Sequence, residues 1–144
     1  MPSQTWSLNE KDVALAVETA LNAARERKIF ITVAVVDRGG NLVGQSYMDG
    51  AKLPSTHVAV CKAWTSAMFQ RPSGDYGSAM APGAAAYALW NAFPGQLAPV
   101  GGGAPVVYKD VCIGGVGVSG GTAEEDTEIA TKAASAITGK AVKP

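Results

Sequence analysis

Two hydrophobic hairpins set between amphipathic helices predict an α+β domain, an antiparallel sheet covered by helices. The first hairpin joins an apolar, β-branched run at residues 30–36 to a second run at 42–48 through Asp37-Arg-Gly-Gly-Asn41. The second joins residues 106–108 to 111–118 about Lys109-Asp110. Single strands alternating with helices would have indicated a parallel sheet; paired strands do not.

In chain order, Ser7-Leu-Asn-Glu10 has the form of a capping box, a hydroxyl at the N-cap and a carboxylate three residues on. Val13, Val17, Ala20, Leu21 and Ala24 then fall on one helical stripe that ends in Arg25-Glu26-Arg27-Lys28. Residues 30–36 are near-continuously apolar, as in a strand covered on both faces. Pro54-Ser55 opens a second helix with Ser55 as its N-cap, and Pro72 lies beyond its end. Residues 72–105 are rich in proline and glycine and predict long loops around one short helix near residues 83–91; loops of that length in a compact domain tend to be functional. Thr122-Ala-Glu-Glu125 is a second capping box, and a last helix runs to Gly139.

Composition narrows the function. The 144 residues make one domain, with twelve basic and twelve acidic residues and 17% charge. That balance argues against a surface built for many phosphate contacts, and no basic run predicts a membrane-facing patch. The first sixteen residues carry charge where a signal peptide needs its apolar region, so a cytoplasmic location is expected. Cys61 and Cys112 lie far apart in apolar surroundings and read as reduced core thiols. Trp6, Trp64, Trp90, Phe69 and Phe93 are many large rings for a small, weakly charged monomer, which predicts a homo-oligomer.

Gly115-Val-Gly117-Val-Ser-Gly120 matches a dinucleotide-binding pattern, but only 24 residues follow and they cannot supply the next strand with its ribose-binding acid. Glycines inside a strand instead let another element approach closely. Ser119-Gly120-Gly121-Thr122 frees backbone N–H groups at a helix start, an anion site in principle, although Glu124, Glu125 and Asp126 already bring negative charge there. A cation is then needed, and Lys62 on the second helix is the candidate. On that helix His57, Cys61, Trp64 and Met68 share one stripe, and Val58, Lys62, Thr65 and Phe69 share the next. His57, the sole histidine, sits in the first turn, where the dipole favours a neutral imidazole able to hold a metal or haem iron. Asp49 reads as a turn carboxylate or, facing a cavity, as a general acid or base. Tyr76, Tyr87 and Trp90 are candidate walls for an aromatic ligand. No zinc quartet, HExxH, GxSxG or P-loop is present, and no dedicated metal site is expected.

Residues 31–50, ITVAVVDRGGNLVGQSYMDG, and 113–126, IGGVGVSGGTAEED, resemble the GlcG/HbpS family, which also forms the C-terminal module of PduO proteins and is often called haem-degrading or haem-binding. Lys62-Ala-Trp-Thr65, Met48-Asp49-Gly50 and Gly101-Gly-Gly-Ala-Pro105 resemble further family segments. The likeness covers about residues 7–139. It implies a single domain over residues 1–144, a profilin-like α/β/α sandwich with about five strands, and a cavity for haem or a related small organic ligand. Met48, Lys62, Trp64, Thr65, Gly102, Gly103, Gly120 and Gly121 are the ligand-binding candidates, with the Gly101–Gly103 run as a flexible rim. The competing reading is a cofactor-independent lyase or isomerase for a small aromatic or hydroxy carboxylate, held by Lys62 and the 120–122 backbone while Asp49, Glu125 or His57 moves a proton. A ligand-free structural module is the third. Partners expected are a small molecule and copies of the chain as a tetramer or octamer, with no nucleic acid and no membrane.

Overall fold

A computed structural model describes residues 5–138. The elements run α1 (Glu10–Arg27), β1 (Thr32–Asp37), β2 (Leu42–Tyr47), α2 (Ser55–Phe69), β3 (Gly103–Tyr108), β4 (Val111–Ser119) and α3 (Ala123–Thr138), with 3-10 turns at Ser73–Tyr76 and Tyr87–Asn91. The described sheet has four strands, against the five or so expected, in the order β2-β1-β4-β3. Every neighbouring pair is antiparallel, and both hairpins form as read.

Strand alternation builds the two cores. Val33 and Val35 of β1 point into a cluster with Val116, Val118 and Val106, roofed by Ala16, Ala20 and Ala24 of α1 and Ile129, Ala130 and Ala133 of α3. Ala34 and Val36 face the other side, against Ala59, Ala63 and Ala67 of α2. The result is an α/β/α sandwich, α1 and α3 on one face and α2 on the other.

The second core is thin because its residues are small. Alanines at 59, 63 and 67 recur one turn apart on α2, and opposite them stand Gly115 and Gly117 of β4. A methyl on Gly117 would run into the carbonyl of Ala59, and one on Gly115 into that of Ala63. The pattern that mimics a dinucleotide loop therefore serves the strand and helix that bear it, by letting α2 lie almost on the backbone of β4.

Several boundaries differ from expectation. Helix α1 is capped by Asn9, whose side chain accepts from Asp12 N at 2.8 Å while the Asp12 carboxylate accepts from Asn9 N. Ser7 is not the cap: the box is the same device two residues later, with amide and carboxylate for hydroxyl and carboxylate. Ser55 is the first helical residue of α2 rather than its cap; its hydroxyl donates to Lys52 O at 2.5 Å and lies 2.7 Å from Thr32 Oγ1, from which it can accept, tying α2 to β1. The 83–91 helix is a shorter 3-10 turn, Tyr87–Asn91. Strand β3 begins at Gly103, earlier than residue 106, and carries Pro105 inside it; as the outermost strand in the order it leaves that missing N–H without a ladder partner to lose. The final helix agrees with its capping box, while the stop at Gly139 lies outside the described residues.

Candidate functional site

The most unusual chemistry in the structure is a buried ion pair. Lys62 enters from α2 and is 4% exposed; Asp126 enters from the first turn of α3 and is 2% exposed. Lys62 Nζ donates to Asp126 Oδ2 at 3.0 Å and to Val118 O, at the end of β4, at 3.1 Å. The other carboxylate oxygen, Oδ1, accepts from Gly121 N at 2.9 Å. One lysine thus joins α2, β4 and α3 across the sheet layer. Charges this far from water persist only when paired and hydrogen-bonded, and here both are.

Glycines make room for the pair. At Gly102, with φ +126°, a Cβ would stand 2.7 Å from Lys62 Nζ and 2.9 Å from Asp126 Cβ. Gly120, with φ +143°, passes against the backbone of Phe30 and Ile31 where no side chain fits. Gly103 packs on Lys62 O and lies 2.5 Å, by its notional Cβ, from Ser66 Oγ, the buried side-chain oxygen that has no hydrogen-bond partner among the described residues. The segment read as a flexible rim is therefore buried at Gly102 and Gly103, packed around the lysine, and already part of β3 at Gly103.

This geometry redefines the anion site. Three N–H groups around the start of α3 are taken from within the chain: Gly121 N by Asp126 Oδ1 and Thr122 N by Glu125 Oε1, each at 2.9 Å, and Glu125 N by Thr122 Oγ1 at 3.2 Å. The Thr122 backbone and side-chain hydrogen bonds hold the Glu125 carboxyl below the usual carboxylate range. Lys62 was expected to present its ammonium to a cavity; instead the ammonium is inside and its counter-ion is Asp126. Sequence reasoning counted Asp126 only as one of three acids in a helix's first turn. Its place in the pattern, four residues after Thr122 and so turned inward beside Ile129 and Ala130, is the signal that marks it as the buried one.

The other candidates lie elsewhere. Thr65, fully buried, donates to Cys61 O and accepts from Ala98 N at 2.9 Å, pinning the 97–99 segment to α2. Trp64 closes over the β1–β2 turn, where a Cβ on Gly40 would meet its indole at 2.7 Å, and packs on Phe93 at 5.3 Å. Met48 and the exposed Asp49 line a surface depression of about 320 Å³ with Arg25, Phe30 and Tyr47. Tyr87 and Trp90 wall another, of about 430 Å³, over Met80 and between Pro82 and Pro99, whereas Tyr76 packs on Phe69 at 4.8 Å. His57 is exposed on the first turn of α2, its Nε2 3.4 Å from Cys61 Sγ. The same sulfur lies 3.3 Å from Gly95 O, and burial pushes the Cys61 thiol up. Lys62, Asp49 and His57 thus belong to three separate places on the molecule. Among the described residues no group of three His, Cys, Asp or Glu side chains is placed to hold a metal ion, and no helix is long and apolar enough to cross a membrane.

Comparison with known proteins agrees with this architecture. Residues 8–135 match the model of the family described as haem degrading protein HbpS-like. The corrinoid adenosyltransferase PduO of Citrobacter freundii is 32% identical over 131 residues, 91% of this chain. The chain spans about two fifths of that relative's length, 39%. Among solved structures, Klebsiella pneumoniae protein ORFY superposes with a TM-score of 0.89 at 31% identity, covering 94% of each chain. The PduOC–haem complex superposes with a TM-score of 0.86 at 30% identity, covering 91% of this chain and 95% of that one. A family model spanning both hairpins and all three helices, and solved folds superposing from end to end, place this chain in the GlcG/HbpS family.

Proposed function

We propose that this protein is a small-ligand-binding module whose ligand is haem or a related small organic molecule. The observation that carries the reading is the end-to-end likeness to PduOC, a domain solved in complex with haem. The donor chemistry of this chain fits such a group at one axial position: His57 is its single histidine, and the ring is exposed on α2. Cys61, one turn on, is the neighbouring soft donor, while the Met48 sulfur is occupied, accepting from Ile31 N at 3.4 Å. A bound haem would supply iron for ligand exchange or electron transfer; the chain would supply the imidazole.

The competing carboxylate-lyase reading loses its binding elements in this geometry. Lys62 Nζ and Gly121 N are engaged by Asp126 and Thr122 N by Glu125, so a substrate carboxylate held at those three groups would have to displace carboxylates already bonded there. In the proposed reading the Lys62–Asp126 pair is a positioning device, which sets the 120–122 turn.

The chain works as a homo-oligomer, a tetramer or octamer, in this proposal. Supporting it are apolar side chains left open on a chain of zero formal net charge: Leu53 is 82% exposed, Phe30 55% and Val100 52%.

An absorbance titration with haemin, run on sized oligomer, tests the reading. A saturable Soret shift near one haem per chain, weakened at least tenfold in His57→Ala, is the expected result. A shift that never saturates would remove haem as the ligand.

A further inference from the structure

We propose that His57, Cys61 and the carbonyl of Gly95 form an open chelate for a soft divalent ion of the zinc type. The inference concerns the protein without haem and does not depend on the haem reading.

Cys61 Sγ has two close polar neighbours, His57 Nε2 at 3.4 Å and Gly95 O at 3.3 Å, brought from one turn back on α2 and from the loop 34 residues on. With His57 protonated on Nδ1, three lone-pair-bearing atoms surround one thiol proton, which satisfies only one acceptor. A dication in place of that proton satisfies all three.

The sulfur-to-nitrogen spacing is compatible with shared coordination of one ion. Zinc–nitrogen bonds of about 2.0 Å and zinc–sulfur bonds of about 2.3 Å, at a tetrahedral angle, put the two donors about 3.5 Å apart. The observed 3.4 Å therefore needs little movement. A helical i, i+4 pair is the arrangement that lets two side chains reach one ion.

Access and selectivity follow from burial. Cys61 is 6% exposed, but the His57 ring stands in solvent beside it, so an ion enters from the imidazole side. As the metal–sulfur bond forms the S–H bond breaks and its proton goes to solvent. Two side chains and one carbonyl leave a fourth position for water, so the site is of the open kind rather than a closed structural one.

Cobalt(II) is the probe, because thiolate ligation gives it a near-ultraviolet charge-transfer band alongside its visible bands. Titration of the reduced protein is expected to raise both, saturably, at one ion per chain, with Zn²⁺ displacing the cobalt. Cys61→Ser should abolish the charge-transfer band, His57→Ala should weaken binding at least tenfold, and Cys112→Ser should change neither. Absence of the band at millimolar cobalt, or its survival in Cys61→Ser, overturns the proposal. Should Cys61→Ser fail to fold, alkylation of the wild type decides: Zn²⁺ must slow modification of Cys61, and an unchanged rate refutes the site. A haemin-silent protein that still shows the cobalt band separates this inference from the haem reading.

Discussion

Asp126→Asn is the most informative single change, since it keeps nearly the same shape while leaving Lys62 buried without a counter-charge. Both partners are under 5% exposed, and in the variant Lys62 Nζ and Gly121 N share one neutral amide oxygen, with Val118 O the ammonium's other acceptor. Removing one member of a buried pair costs about 3–5 kcal/mol, because the remaining charge stays desolvated. Unfolding entropy of about 2.1 cal/mol/K per residue gives a chain of this length about 0.3 kcal/mol/K, so the melting temperature should fall by about 10–17 °C. Lys62→Met leaves Asp126 with only the Gly121 N–H and should cost a similar amount. The double variant Lys62→Met/Asp126→Asn should lose clearly less than the sum, with a coupling of about 2 kcal/mol or more. Calorimetry of the four proteins completes the cycle. Single-variant losses below about 1 kcal/mol, or additive behaviour, would mean that water reaches the pair and that it does not hold α2, β4 and α3 together.

Two further outcomes follow from the geometry. Gly117→Ala pushes a methyl into the Ala59 carbonyl, and overpacking of this kind costs about 1–3 kcal/mol; denaturant melts should show it, and a neutral result would mean that α2 shifts freely over β4. Glu125→Gln tests the cap of α3 through its pH dependence. The folded-state carboxyl lies below its ordinary value, so its stabilisation is complete above the ordinary carboxylate range and is lost as pH falls through the lowered value. Wild type should exceed Glu125→Gln in stability at pH 7, and the gap should close in acid; a gap that widens in acid contradicts the assignment.

The chain's local signals carried its architecture. Two turn-linked β-branched runs and the helical stripes of α1 and α2 are local patterns, legible because each element's period and punctuation lie within a dozen residues or so. The capping box of α3 is local in the same sense, whereas that of α1 was displaced because two overlapping four-residue patterns, Ser7 to Glu10 and Asn9 to Asp12, compete for one helix start. Gly115 and Gly117 were readable as a close approach, and the alanines at 59, 63 and 67 were the matching half of that signal.

What tertiary structure alone decided is which polar groups meet. Lys62 and Asp126 stand 64 positions apart, and nothing in either neighbourhood distinguishes a lysine that reaches a cavity from one that reaches a carboxylate across a sheet. The same holds for Cys61 and Gly95 O, whose meeting depends on how the 70–100 segment folds back over α2. Periodicity assigns a side chain to a face; only packing assigns it a partner, because desolvation makes the pairing of buried charges and donors a property of the assembled layers.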